Sequence, residues 1–209
     1  MTVKINADTS DGLKLESDTS GAIDFQSNGV TKMSMDSSGN ITPTGIYLGG
    51  TGSANLLTNY EEGTFTPTLI ERSGATQNTI TDATFNNTFH GGSYTRIGNM
   101  VNVRGTFRVT SLGSFTSGYE FRMGGLPFST PTLASPYGEQ RAVASICAFA
   151  GIDSIASDAY LMVTTSGGQD YLSFFSYDNS AGSSSAVDGV TNIKSDCYFN
   201  FSCTYRTEE

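Results

Sequence analysis

The sequence predicts an all-β protein in two parts, a short β shaft built from repeats and a larger antiparallel β-sandwich head of jelly-roll type. Three observations predict it. Apolar pairs recur every ten residues near the start of the chain. Glycine, serine and asparagine separate almost every apolar run. No segment shows the spacing of three and four residues that marks an amphipathic helix.

The repeat comes first. Val3 and Ile5, Leu13 and Leu15, Ile23 and Phe25, and Met33 and Met35 form four apolar pairs at a constant spacing of ten residues. The residue inside each pair is polar (Lys4, Lys14, Asp24, Ser34), so an extended backbone sends the pair to one face and the polar side chain to the other. Asp11-Gly12, Ser20-Gly21, Asn28-Gly29 and Ser38-Gly39-Asn40 stand between the pairs and supply the positive φ of tight hairpin turns. Helix is disfavoured over residues 1–42 by the period and by the glycines. A thin meander of this kind is not stable alone, so its apolar face requires a partner. Identical chains offer the same face and also hide the strand edges. The repeat itself does not choose between two copies and three, and the downstream domain of the same chain is the other available partner.

Residues 43–62 read as a joint. Pro43, Gly45, Gly49, Gly50 and Gly52 leave room for one short helical turn at 53–57, with Ser53 as its cap. The glycines invite a phosphate-cradle reading, which fails because no Lys-Ser/Thr pair follows the last of them. A calcium-binding nonapeptide fails as well, since Ala54 stands where aspartate is required.

From residue 63 to 209 the strands lengthen and aromatic residues multiply. Alternating runs cover 64–70, 100–109, 119–123, 159–163, 170–175 and 197–205. In the last, Cys197, Phe199, Phe201, Cys203 and Tyr205 share one face while Tyr198, Asn200, Ser202 and Thr204 share the other. The apolar run at 141–152 fits a buried strand as well as a helix and is taken as a strand. Strands joined by turn formers, with no helical period among them, predict the sandwich head.

Composition excludes several classes of function. Twenty acidic residues against eleven Lys plus Arg give a net charge of −9 without a basic block, which excludes nucleic acid as a partner. Only 37% of the chain is hydrophobic and Trp is absent, so one copy buries little core unless others help. Cys147, Cys197 and Cys203 are odd in number and form no CxxC pair. They predict buried free thiols in a protein assembled in a reducing cytosol. No run approaches the roughly 18 apolar residues of a membrane span, so no membrane insertion is expected. The N-terminal residues show no apolar core of a secretion signal.

The stretches GLKLESDTSGAIDFQSNGVTKMSMDSSGNI, YLGGTGSANLLTNYEEGTFTPTL, GSYTRIGNMVNVRGTF and GGLPFST, in that order, resemble bacteriophage tail-fibre and head-fibre proteins. The resemblance covers most of the chain and rests on the order of the segments. It implies a homotrimer in which an N-terminal segment, here within 1–42, attaches to other virion proteins (tail, adaptor or capsid). An intertwined β shaft and a C-terminal head that binds the host surface follow. It implies a virion location after assembly in the host cytoplasm, with Val3, Ile5, Leu13, Leu15, Ile23, Phe25, Met33 and Met35 as the core of the trimeric shaft. The alternative within the same group is a structural head fibre, or a capsid or tail decoration, with no receptor.

No catalytic machinery is expected. Glu61, Glu62, Asp153, Asp158, Asp170 and Asp178 offer carboxylates, but none is singled out by its neighbours for the paired acid and base of glycoside hydrolysis. His90 is the sole histidine, in a Gly-rich stretch read as a turn, so a His-based zinc site cannot be assembled within one chain, and a triad would have to use that residue although no serine stands in a G-x-S-x-G elbow. No cofactor and no metal are expected. What remains is recognition or surface decoration. Sugar-binding loops present aromatic faces beside amides and carboxylates, and the polar stretches 135–140 and 177–189 supply Tyr137, Tyr177, Asp178 and Asn179 as candidate receptor-binding residues for a host glycan or protein.

Overall fold

The computed structural model describes residues 19–57, 59–132, 141–153 and 159–208. Val3, Ile5, Leu13 and Leu15 of the first two repeats lie outside the described residues, as do Tyr137 and Asp158. The chain divides into two compact units between residues 58 and 59.

In the first unit, β1 (Ile23–Ser27), β2 (Val30–Met35) and β3 (Ile41–Pro43) form an antiparallel sheet in that order. Asn28 and Gly29 make the β1–β2 turn with φ of 52° and 73°. Two central residues at positive φ define the hairpin turn whose twist matches that of the strands, and Asn-Gly is the pair best able to adopt it. The β2–β3 turn is held by Asp36, whose Oδ1 accepts the backbone N–H groups of Ser38 and Asn40, each at 2.9 Å. Those two turns bring the third and fourth apolar pairs into register: Ile23 lies opposite Met35 and Phe25 opposite Met33. β3 extends the same face, with Ile41 opposite Met35 and Pro43 opposite Met33. No described residue of the first unit buries it. No residue of 19–57 whose exposure is described is buried, and Phe25 is 39% and Ile41 61% exposed.

β4 (Ile46–Tyr47) and β5 (Leu56–Leu57) pair across the glycine-rich segment. The helical turn expected at 53–57 is a single 3-10 turn at Ser53–Asn55, and Gly52 rather than Ser53 holds the cap position, without a side-chain bond. Leu56 and Leu57 leave it because they are taken up by the ladder with Tyr47 and Ile46.

The second unit contains β6 (Tyr60–Phe65), β7 (Thr68–Ser73), β8 (Thr76–Thr79), β9 (Thr84–Ile97), β10 (Met100–Ser111), β11 (Glu120–Gly124), β12 (Ala144–Ile152), β13 (Ala159–Thr165), β14 (Leu172–Asp178), β15 (Ser183–Ala186) and β16 (Ile193–Arg206). One sheet runs β12-β16-β10-β9-β6 and the other β13-β14-β11-β7-β8, with β15 paired to β14. Every pairing is antiparallel. The two inner faces interdigitate as in a β-sandwich. Phe107 and Phe199 from the first sheet meet Phe121 and Phe174 from the second, with ring centroids 6.2 Å (Phe107–Phe121) and 5.3 Å (Phe174–Phe199) apart.

The alternation in the last strand is seen as expected: Cys197, Phe199, Phe201, Cys203 and Tyr205 are all buried. Burial pushes the Cys197 thiol up to about 12 and that of Cys203 to about 11, so both are inert. Cys147 departs from the expectation that each cysteine is buried. It is exposed because β12 is an edge strand, and Cys147 pairs with Asn200 on the outer face.

Three further readings change. The run at 141–152 forms a strand, β12, but at the sheet edge, and among its described residues only Ala144 is buried. The run at 64–70 is split at Thr66-Pro67, and its halves join different sheets as β6 and β7. His90 does not sit in a turn, because β9 runs straight through the Gly91-Gly92 pair. Those glycines let neighbouring strands approach. A Cβ on Gly105, opposite Gly92, would stand 2.6 Å from the Gly91 carbonyl oxygen and 2.9 Å from Gly92 Cα. His90 itself stacks on Phe85 at 3.9 Å and bonds the Pro67 carbonyl through Nε2 at 2.6 Å. Among the described residues no helix is long and apolar enough to cross a membrane.

Candidate binding face on the head

The residues that alternate with the buried ones on β9, β10 and β16 form the outer face of the five-stranded sheet. Register arranges them in rows. Thr64, Ser93, Arg104, Ser202 and Ser145 lie side by side across β6, β9, β10, β16 and β12. The next row towards one end is Gly91, Thr106, Asn200 and Cys147. On the other side are Glu62, Thr95, Asn102 and Thr204, where Asn102 donates to the Thr204 hydroxyl at 2.8 Å.

Two concavities of about 580 and 570 Å³ open on this face, and both are lined by Ser93 and Arg104. The first exists because Gly91 takes an outward position without a side chain. A Cβ built there would meet nothing within 4 Å. Beyond the dent, Tyr198 projects from β16, donates to Asn200 Oδ1 at 3.1 Å and packs edge-on against Phe89 at 5.5 Å. A shallow polar trough with an aromatic at one end has the chemistry of a sugar-binding surface, in which hydroxyls and amides read hydroxyl groups and a ring face stacks.

The residues singled out from the sequence stand elsewhere. Tyr177 lies on β14 at the sheet rim, half-buried, with its ring 5.1 Å from that of Tyr160. Asp178 closes the turn to β15: its Oδ1 accepts the Ser180 N–H at 2.9 Å, the Ser180 hydroxyl at 2.8 Å and the Ala181 N–H at 3.0 Å. Asn179 is exposed in that turn. Glu61 and Glu62 face opposite sides of β6. Glu61 takes the Tyr94 hydroxyl on the inner side, while Glu62 takes the Tyr60 hydroxyl at 2.6 Å on the outer side. Two carboxylates so placed do not share a substrate.

Other acids are likewise occupied by the backbone. Asp82 accepts the Ser114 N–H at 3.0 Å and its hydroxyl at 2.9 Å, and these bonds hold its carboxyl below the usual range. The Ala181 N–H and the Ser180 hydroxyl do the same for Asp178. Burial pushes Asp188 and Glu71 up, but the bonds they accept outweigh it: Thr191 and Val190 N–H for Asp188, Thr116 N–H and Asn78 for Glu71. A carboxylate with a depressed folded pKa stabilises fully above its unfolded value and ceases to do so as pH falls through the folded one. The urea midpoint followed by circular dichroism should therefore be flat from pH 7 to about 5 and fall below about pH 4. A midpoint that holds steady down to pH 2 would contradict this.

Sequence reasoning missed the trough because its rows join residues from five separate strands. The alternation of Asn102, Arg104 and Thr106 with Val101, Val103 and Phe107 was the available signal for an outer face. Neither the neighbours in each row nor the outward position of Gly91 can be read without the register.

No protein-family model and no curated protein matches the chain. Its fold is similar to that in the crystal structure of the Dettilon tailspike protein, with a TM-score of 0.52 and 18% sequence identity over 70% of this chain. The chain spans about a quarter of that protein's length, 24%. At this identity the likeness is one of fold.

Proposed function

We propose that this chain is a bacteriophage virion fibre protein. It is a trimer whose first unit joins the copies and whose β-sandwich head adsorbs, without catalysis, to a glycan on the host surface. The observation that carries the reading is the apolar face of the first unit. Ile23, Phe25, Met33 and Met35 are in register on one side of a sheet in which no described residue of the first unit is buried. An uncovered face of that regularity is matched by the same face of sister chains. A tailspike as structural neighbour and the order of the fibre-like sequence segments support the same assignment. The polar trough on the head supplies the adsorption surface, and the occupied turn acids together with the opposed Glu61 and Glu62 favour binding over hydrolysis.

The test is adsorption. Purified full-length protein should coat susceptible cells and block attachment of the phage that carries it, while releasing no sugar from their envelope polysaccharide. Normal adsorption by particles lacking the protein would instead assign it to the capsid or tail as a decoration. Sugar release abolished by one acidic substitution would make it an enzyme.

A further inference from the structure

We infer that the trough is built for an acidic glycan, with the carboxylate or phosphate of one sugar unit held by Arg104 beside the Gly91 dent. This rests on the adsorption reading and specifies its ligand. Arg104 stands at the centre of the outer face and lines both concavities. It is exposed and has no hydrogen-bond or ion-pair partner among the described residues. Four other arginines of the head are engaged: Arg72 with the Gly74 carbonyl, Arg96 with the Gly98 carbonyl, Arg108 with Asp196, and Arg122 with Glu120 and Ser173.

On the side of the Gly91 dent no acid faces it. The row through Arg104 otherwise carries only hydroxyls, and the row through Gly91 holds no acid. Glu62, one row further, accepts the Tyr60 hydroxyl and lines the second concavity, so the anion is placed on the Gly91 side, in the first concavity, whose lining holds no acid. A guanidinium beside hydroxyls on that side, on a chain of net charge −9, is a local cationic group in a negative field. Its planar fork matches the two oxygens of a carboxylate or phosphate, while Ser93, Ser202 and Asn200 suit neighbouring sugar hydroxyls. From Arg104 to the row of Tyr198 is four residues along β10, or about 13 Å. That span suits a short oligosaccharide with its acid at one end and a stacked ring at the other.

The experiment measures binding of the full-length protein to immobilised alginate, teichoic acid and dextran, which present carboxylate, phosphate and neither. One acidic polymer should bind at least about tenfold tighter than dextran, less so at high salt, and which one it is identifies the anion. Arg104→Gln should remove that preference and Arg104→Lys restore part of it. Gly91→Phe, whose Cβ would meet nothing within 4 Å, should fill the dent and abolish binding. Equal binding to dextran, or a preference that survives Arg104→Gln, overturns the inference. Binding to susceptible cells but to none of the three polymers overturns it while leaving the adsorption reading intact, and binding to neither removes both. A drop in oligomer mass for Arg104→Gln or Gly91→Phe also overturns it, because a second copy then occupies the face.

Discussion

Replacing Phe199 with alanine is expected to lower the stability of the head by about 3–5 kcal/mol, the range for deleting a buried aromatic ring from a core that relaxes only in part. Phe199 is fully buried at the point where the two sheets meet. Its ring centroid lies 5.2 Å from Phe107 on the neighbouring strand and 5.3 Å from Phe174 on the opposite sheet. Its strand, β16, also bridges β10 and β12. No nearby side chain is free to swing into the space, because Phe107, Phe121 and Phe174 are each held by the others. For a unit of this size a loss of 1 kcal/mol moves the melting temperature by about 2–4 °C, so calorimetry should show a fall of roughly 6–20 °C. Ser202→Ala, on the outer face of the same strand, should change it by about 0.5 kcal/mol or less. A Phe199→Ala loss under about 1 kcal/mol would mean that the sheets do not pack through this aromatic group.

The contrast between those two substitutions also explains which parts of the fold were legible in the sequence. β16 could be read in full because a strict alternation of large apolar and polar residues has only one extended solution when one face is buried. β10 was legible for the same reason. β9 was not: Asn86-Asn87 and Gly91-Gly92 have the local preferences of a turn, and only the close approach to Gly105 makes glycine the right residue for a strand there. The break at Pro67 was equally hidden, since Thr64, Phe65, Leu69 and Ile70 satisfy a single strand pattern until the chain is seen to change sheets. Candidate binding residues suffered from a related limit. Tyr177, Asp178 and Asn179 were chosen because polar loops carry function, yet Asp178 spends its carboxylate on the turn itself. The trough depends on cross-strand register, which is a property of five strands together and is written in none of them.

The third and fourth apolar pairs were legible because their turn chemistry and their apolar spacing agree, and the consequence can be tested by one charge. Ile23→Asp is expected to abolish assembly. Light scattering on the unmodified protein should give a multiple of 22.1 kDa, three copies on the proposed reading, and the variant should fall towards 22.1 kDa. Ile23 sits directly opposite Met35, on the face it shares with Phe25 and Met33. If sister chains cover that face, the carboxylate is buried without a partner once in every chain, at a cost of several kcal/mol per copy. Symmetry also brings the copies of that charge near one another, so their repulsion adds to the desolvation. Asp24→Lys is the control, because Asp24 alternates with Ile23 and Phe25 in regular register opposite Ser34 and projects from the other side of β1. It alters the charge more than Ile23→Asp does and should leave the mass unchanged. An unmodified protein at 22.1 kDa, or an Ile23→Asp variant that keeps the parent mass, would show that the apolar side of the hairpin is not where the chains meet, and the fibre assignment would fall with it.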